Sequence, residues 1–594
     1  MNTQLYPQAS KFPLRIPYGV ADFVKLRQRG HYFVDKTHYL PLLEQAGEFL
    51  FLIRPRRFGK SLLQSVMECY YDRRWEPQFD ELFHDTWIHD HPTPEKHGYL
   101  VLRFDFSAVD SASRKMEESF ETYTRIELES FVQRYQRWIP EELGQKILRE
   151  KVTIARIEQL LRTMDQLGLP LYLFIDEYDN FANNLLVREG RQKYQELTHG
   201  GGFFRHFFSV LKEGIGRSGS GLSRLFITGV SPITMDDVTS GFNIGANISL
   251  DPEFNSLLGF NAKEMESLFA AFGQNYSEHR AVLNDWYDHY HFHRQRGEPV
   301  TNSDMALYYL KSLYRLHTPP DELIDHNVRI DYGKLRYLVQ IDKTLNGNFS
   351  RLREIIETGE QVGDIQLSFP VEALLQQENF VSLLYYLGLL TFAGERDARP
   401  LLRIPNRTIR QLMYGYLREA YREVEIFKPS LWKIGDLLNA MAYRGEWAAF
   451  FDYLSEQIQE QASVRDYLQG EKMVQGFLLA YLNLSPYFVC HSEQESGRGF
   501  VDLFLAPFFF RYPDMRHGYL IELKYLARSE DSPEQRQKMI IKAEAQLRSY
   551  SGDERVQKAL GAAWLHPLVL VYSGWELVYR AEVDIKLPIN TVLK

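Results

Sequence analysis

The sequence predicts an α/β chain with two separate sheet regions and a mainly helical stretch between them. Three observations lead there. Phe49-Leu50-Phe51-Leu52-Ile53 is an apolar run of buried-strand length, and a short loop joins it to a segment with helical spacing at Leu62, Leu63, Val66, Met67 and Tyr70. Three further apolar runs, within 99–107, 171–179 and 223–230, alternate with helical stretches, which is the pattern of a mostly parallel sheet. Near the C-terminus, runs around 487–491, 501–505 and 518–525 read as neighbouring strands that carry acidic residues.

The first run sets up a phosphate site. Its loop, Arg54-Pro55-Arg56-Arg57-Phe58-Gly59, ends in Lys60-Ser61 at the start of the helix. Strand, loop ending Gly-Lys-Ser, then helix is the context of a phosphate-binding P-loop. Exposed N–H groups at the helix start face an anion. Lys60 would reach the β- and γ-phosphates of ATP and the Ser61 hydroxyl would help hold Mg²⁺. Arg57, Gly59, Lys60, Ser61 and Leu62 are the expected nucleotide-binding residues of this loop. Arg54 stands where the pattern G-x-x-x-x-G-K-[ST] has its first glycine.

Composition bounds the rest. The chain has 594 residues, enough for roughly three or four domains. Its 44% hydrophobic and 25% charged content is that of a globular protein. A net charge of −9 gives no global nucleic-acid signal, so any such contact comes from local patches. Two cysteines, Cys69 and Cys490, exclude a disulfide framework and a cysteine-based zinc site, and fit a reducing cytoplasm. The N-terminal residues lack an apolar core of signal-peptide length, and no apolar run reaches bilayer-spanning length. A soluble, cytoplasmic protein with no membrane partner is expected.

In chain order, residues before Lys36 form a lead-in, followed by a short helix that Asp35 or Thr37 would cap. This arm would either fold over the adenine base or pack on the sheet. The second strand ends near Asp105, and a long helical region follows from about Ser113 to Leu167. The strand Leu171-Tyr172-Leu173-Phe174-Ile175 then delivers Asp176 and Glu177. Asp176 would sit by the Mg²⁺ at the carboxyl end of the strand. Glu177 would orient or deprotonate the attacking water. The fourth strand ends in Thr228, a residue type that is more often a strand-end cap there and is a candidate for contact with the γ-phosphate or its water.

The stretches IPYGVADF, YFVDKT, RPRRFGKSL, LFIDEYD and FITGVSPI, within residues 10–310, resemble the AAA-ATPase-like family, in which this domain precedes a PD-(D/E)XK nuclease domain. The resemblance implies an N-terminal P-loop ATPase, and it makes Arg54 a family trait.

Residues 285–303 resemble the family's lid region. His289, His291 and His293 alternate there; at strand spacing they would share a face suited to a metal, although hydrogen-bonded loop aromatics are the preferred reading. Residues 306–426 read as mostly helical with a short sheet piece. A buried helix ends at Gly388 before a strand, and Leu402-Arg403-Ile404-Pro405-Asn406 belongs to a connector without chemistry.

After Lys428-Pro429 a helical segment leads to Glu471. A strand and hairpin follow, then a strand carrying Asp502, then Ile521-Glu522-Leu523-Lys524. Strand alternation puts Glu522 and Lys524 on one face. Asp502 and Glu522, with Glu471 completing the shell, would hold Mg²⁺ as oxygen ligands, and Lys524 would position or activate the attacking water. Gln546 and Arg548 on a following helix would approach a phosphate backbone. This stretch resembles the restriction-endonuclease-like PD-(D/E)XK fold. Asp502, Glu522 and Lys524 match its signature positions; Val501 stands in place of the proline.

The expected organisation is therefore residues 1–260 as the ATPase, 261–428 as helical lid and connector, and 429–594 as the nuclease-like domain. The expected function is ATP hydrolysis coupled to metal-dependent cleavage of nucleic acid, DNA in preference to RNA, with ATP gating and a role in defence against foreign DNA as extensions. The alternative is a nucleotide-dependent switch or scaffold whose C-terminal fold binds nucleic acid or a partner without cleaving. An arginine finger in trans would require a homo-oligomer, with Arg217 and Arg224 as candidates by position.

Overall fold

Five consecutive apolar residues, Phe49–Ile53, form a strand buried along its whole length, β1. It belongs to a sheet with β2 (Leu100–Asp105), β3 (Leu171–Asp176), β4 (Leu222–Gly229) and β5 (Ala246–Asn247), in the order β2-β3-β4-β1-β5. All the pairings are parallel. The strands are apolar rather than alternating because helices cover the sheet: Lys60–Tyr71 packs on β2 and β3, Met116–Arg134 on β2, and Thr153–Leu167 and Phe203–Ile215 on β4. The computed structural model describes residues 14–109, 116–180, 183–185, 191–199, 202–215, 221–233, 245–295, 297–328, 340–341, 344–345, 347–423, 427–461, 470–492 and 501–585.

Register positions the chemistry. Ile53 lies opposite Gly229, Asp105 opposite Asp176, and Ile175 opposite Ile227. The loop after β1, the Asp176–Glu177 turn and Thr228 therefore emerge at one carboxyl edge, where open α/β sheets bind ligands. The strand carrying Asp176 is not the neighbour of β1; β4 lies between them.

The long helical region expected up to Leu167 is three helices, Met116–Arg134, Glu141–Arg149 and Thr153–Leu167. Pro140 ends the run before the second, because its ring cannot continue a preceding helix; Ser113 itself lies outside the described residues. The lead-in contains a helix that its sequence did not announce, Phe23–Gln28, capped by Asp22. Neither Asp35 nor Thr37 caps the following helix Leu40–Ala46, whose N-cap is Tyr39; Asp35 instead accepts from Thr37 N at 2.8 Å and from Trp87 N at 2.6 Å.

The chain divides into two compact units, residues 1–334 with 361–409, and residues 335–360 with 410–594. The segment 361–409 carries helix Gln377–Tyr386, Gly388 with φ 76, and an antiparallel pair. In the second unit a small ladder joins β6 (Gln340–Ile341) and β7 (Thr344–Leu345). A three-stranded sheet has the order β8-β10-β9, from Glu360–Val362, Arg399–Arg403 and Thr391–Arg396. The second unit's main sheet runs β11 (Phe488–Ser492), β12 (Leu503–Pro507), β13 (His517–Leu526), β14 (Trp564–Ser573), β15 (Glu576–Glu582), in that spatial order. Only β13 and β14 pair in parallel. Parallel strands need a crossover, which helix Pro533–Tyr550 provides, started by the Ser532 cap and packed through Ile540, Ala543 and Leu547 on Leu520, Val569 and Val571. Among the described residues no helix is long and apolar enough to cross a membrane.

Arg54 explains how the first loop forms without its glycine. Its side chain turns away from the phosphate side and is 1% exposed. The guanidinium donates to Ile53 O at 3.2 Å, to Ser249 O, and to Phe254 O at 3.2 Å, and lies 4.2 Å from the Phe292 ring centre. It thus fastens the loop to the two 3-10 turns after β5. We expect Arg54→Ala to remove these donors and leave a void, lowering stability by about 3 kcal/mol, read as a lower midpoint of urea unfolding; an unchanged midpoint would show the clamp to be dispensable.

Candidate functional site

The first site is a cavity of about 650 Å³ at the carboxyl edge of the parallel sheet. Arg57, Gly59, Lys60, Ser61 and Leu62 line one wall, with Glu177 beside them. Val20, Tyr32, Phe33, Leu257 and Leu258 add apolar lining. A lining that combines charged and apolar residues suits a nucleoside phosphate. The lead-in arm is thus part of the cavity wall.

Gly59 begins helix Lys60–Tyr71 with φ 100, a conformation that favours glycine. Lys60 is buried, and its ammonium curls back to donate to Arg54 O at 3.0 Å and Pro55 O at 2.9 Å. Burial pushes its pKa down, against the pull of Glu177 and Asp176. The loop is held by other cavity-lining residues as well. Arg57, at φ 69, accepts through its carbonyl from Ser303 Oγ at 3.2 Å and Asp304 N at 3.3 Å, and its guanidinium lies 3.5 Å from the Asp304 carboxylate. Gly259 N donates to Phe58 O at 3.2 Å.

Asp176 and Thr228 lie behind this wall. Asp176 is 1% exposed. Its Oδ1 accepts from Thr228 Oγ1 at 2.5 Å and Glu177 N at 3.1 Å, and its Oδ2 from Arg103 at 3.2 Å. Gln64 Nε2 donates to Thr228 Oγ1 at 3.0 Å and Ile175 O at 3.2 Å. The Thr228 hydroxyl is therefore spent on Asp176 rather than presented to the cavity. Glu177, at φ 49, turns into the cavity; burial raises its pKa, against the opposing charges of Arg56 and Lys60. Asp179 anchors the turn from below, accepting from Ser231 N at 2.7 Å and Val230 N at 3.2 Å. A Cβ on Gly229 would meet the Tyr178 ring at 2.3 Å, so only glycine lets β4 approach this turn.

Sequence reasoning missed Gln64 and Arg103. Gln64 follows Lys60 by one helical turn, the spacing that puts two side chains on one face. Arg103 interrupts the apolar strand Leu100–Phe104, and that interruption was the available signal. Arg224, proposed by position as a finger, is buried near the amino end of β4, where it bonds Glu95, Gly47 O at 2.9 Å and Glu44 O at 3.2 Å. It faces the wrong edge. Arg217 lies outside the described residues. The alternating histidines do not converge: His293 Nδ1 accepts from Gln295 N at 3.1 Å, His291 is bonded through its backbone to Thr391 Oγ1 at 2.6 Å, and His289 lies 4.0 Å from Asp288.

The second site lies on the sheet of the second unit. Glu522 and Lys524 share a face of β13, and Asp502 immediately precedes β12. All three are buried. Lys524 Nζ is 2.6 Å from Glu522 Oε1 and 3.7 Å from Asp502 Oδ2. Leu523 N donates to Asp502 Oδ2 at 2.7 Å. Glu522 Oε2 is buried with no hydrogen-bond partner among the described residues. Burial, and then the charge of Glu522, push the Asp502 carboxyl up to about 7 against the pull of Lys524. Burial likewise raises Glu522. Although burial works against its charge, Lys524 is held above its ordinary range by the two carboxylates. Glu471, the first residue of helix Glu471–Leu482, adds negative charge to all three, and Gln475 Nε2 on the same helix donates to Asp502 O at 2.6 Å.

A buried carboxylate oxygen without a donor, beside a second carboxylate, fits a divalent cation. Among the described residues no three acidic or imidazole side chains stand at ligating distance together, so Glu471 is a neighbour of the pair rather than a closed third ligand. Arg548 is committed to Asp584 O at 3.0 Å, and Gln546 Oε1 is buried without a partner among the described residues.

Residues 17–239 match the family described as AAA-ATPase-like, a predicted AAA-ATPase, and residues 469–582 match the PD-(D/E)XK nuclease superfamily. A protein of Azotobacter chroococcum mcd 1, described as an uncharacterized protein in the vnfD 5′ region, is 26% identical over 422 residues, covering 68% of this chain and 71% of its own. Two solved structures from Aeropyrum pernix overlap loosely. The ORC2 protein, in ADPNP–ADP complexes, is 13% identical with a TM-score of 0.31, over 70% of this chain and 96% of its own. The ORC1 protein, in complex with DNA, is 11% identical with a TM-score of 0.20, over 67% of this chain and 90% of its own. Such scores carry over neither architecture nor ligands.

The acidic pair makes stability depend on pH. A carboxyl whose folded pKa is raised binds its proton more tightly in the folded chain, so its contribution is full at low pH and is lost as pH rises from the ordinary 3.8 to about 7. Without divalent metal, the wild type should therefore unfold at lower urea at pH 8 than at pH 5.5, by a margin that Asp502→Asn shrinks. Equal pH dependence in the two proteins would show that Asp502 titrates normally.

Proposed function

For a chain that joins an AAA-ATPase-like domain to a PD-(D/E)XK nuclease-superfamily domain, we propose ATP hydrolysis in the first unit and metal-dependent cleavage of nucleic acid, DNA in preference to RNA, in the second. The observation that carries the cleavage reading is Glu522 Oε2, buried next to Asp502 and Lys524 without a donor among the described residues. A structural ion pair of this kind would be expected to satisfy both carboxylate oxygens.

In the first unit, Lys60 exchanges the carbonyls of Arg54 and Pro55 for phosphate oxygens, and the N–H groups at the helix start receive the rest of the negative charge. Ser61 and Asp176 are the residues for Mg²⁺. Asp176 is held in place by three donors, from Thr228, Glu177 N and Arg103. Glu177, with its raised pKa, takes a proton from the attacking water. In the second unit, Asp502 and Glu522, with Glu471 close by, are the residues for a divalent cation. When bound, the cation supplies charge for the phosphate and acidifies a water. Lys524, released from Glu522, orients that water.

Gating of the nuclease by nucleotide is part of the proposal, because one chain carries both sites. The test is cleavage of labelled DNA and RNA with Mg²⁺ or Mn²⁺, with ATP, with a non-hydrolysable analogue, and without nucleotide. We expect wild type to cleave DNA and Lys524→Ala to lose about 100-fold or more. Rates indifferent to nucleotide would end the gating idea. ATP hydrolysis without any cleavage would favour the switch or scaffold, a nucleotide-dependent protein whose second unit only binds.

A further inference from the structure

Phosphoryl transfer spreads negative charge over the γ-phosphoryl oxygens, and P-loop hydrolases commonly meet it with a guanidinium, from the same chain or from a second copy. Arg224 is spent at the opposite edge of the sheet. The loop itself holds three arginines with three different placements. Arg54 is buried beneath it, and Arg57, on the cavity wall, is paired with the Asp304 carboxylate at 3.5 Å. Arg56 lines the cavity with Lys60, Glu177 and Asn180, its guanidinium 3.5 Å from Asn180 Oδ1. Its positive charge is felt at Glu177 and Lys60, so it stands within electrostatic reach of both the base and the phosphate-binding ammonium.

We infer that Arg56 is the catalytic arginine of the ATPase and acts in cis, so that each chain hydrolyses ATP without a guanidinium from a second copy. This rests on the nucleotide-hydrolysis reading of the cavity. In the step it serves, the water oxygen bonds to the γ-phosphorus as the bond from that phosphorus to the bridging oxygen breaks. The electron pair leaves on the ADP oxygen, and the water proton passes to Glu177 and then to the released phosphate. Arg56 is placed on Glu177's side of the cavity, where the attacking water and the equatorial oxygens would lie. A planar fork matches two such oxygens at once, which an ammonium does not.

The test compares wild type, Arg56→Ala, Arg56→Lys and Lys60→Ala in steady-state ATP hydrolysis, with binding of a fluorescent ATP analogue measured in parallel. Arg56→Ala should lower kcat by about 1,000-fold or more while still binding the analogue, and Arg56→Lys should restore only part of the loss. The wild-type rate per chain should not change with protein concentration. A mixture of Arg56→Ala and Lys60→Ala should be no faster than the two measured apart. A near-normal kcat in Arg56→Ala overturns the assignment, as does loss of analogue binding in that variant. A mixture that regains activity overturns action in cis. If wild type binds the analogue and does not hydrolyse ATP, the hydrolysis reading fails first and takes this assignment with it.

Discussion

The first unit depends on a buried guanidinium that has no carboxylate partner among the described residues. Arg54 carries its charge inside the protein on carbonyl oxygens and the face of Phe292, and burial lowers its pKa to about 10. Taking a cation out of water without an anion is costly. The arrangement persists because the guanidinium finds carbonyl acceptors at the end of β1, at Ile53, and in the two 3-10 turns, at Ser249 and Phe254. The loop that follows is thereby fixed at its first residue by a side chain. A glycine at that position would have given backbone freedom and no anchor.

The two sites share a design. Each holds a lysine that is buried and satisfied by the protein itself: Lys60 by two loop carbonyls, Lys524 by Glu522 and Asp502. Neither needs a ligand to be stable in place. A ligand must therefore offer each lysine something better than what it has. On the proposed function, phosphate oxygens would do so at the first site. At the second, a divalent cation would compete with the Lys524 ammonium for the same carboxylates, which would link cation binding to release of the lysine.

Much of this was legible in the chain. The strands of the parallel sheet could be read because both faces are buried and the runs are continuously apolar. Asp176, Glu177, Asp502, Glu522 and Lys524 could be read because each stands at or near a strand end, or alternates within a strand. What could not be read depends on contacts between distant segments. Nothing near Arg103 says that it will meet Asp176 across neighbouring strands, since that follows from the pairing of β2 with β3. Asp304 touches the loop only because helix Ser303–Leu316 begins beside it. The placement of Arg224 at the far edge follows from which end of β4 it occupies, and proximity to Thr228 in sequence hid that.

Gln64 has a mechanical consequence. Its amide ties the helix that starts with Lys60 to Thr228 on β4 and to Ile175 on β3. The helix is thus a strut with one end in the cavity and its next turn braced on two strands. A pull on Lys60 along the helix axis is shared between those strands before any loop has to bend. Filling the cavity and tensioning the turn that carries Asp176 and Glu177 are, in this geometry, one displacement.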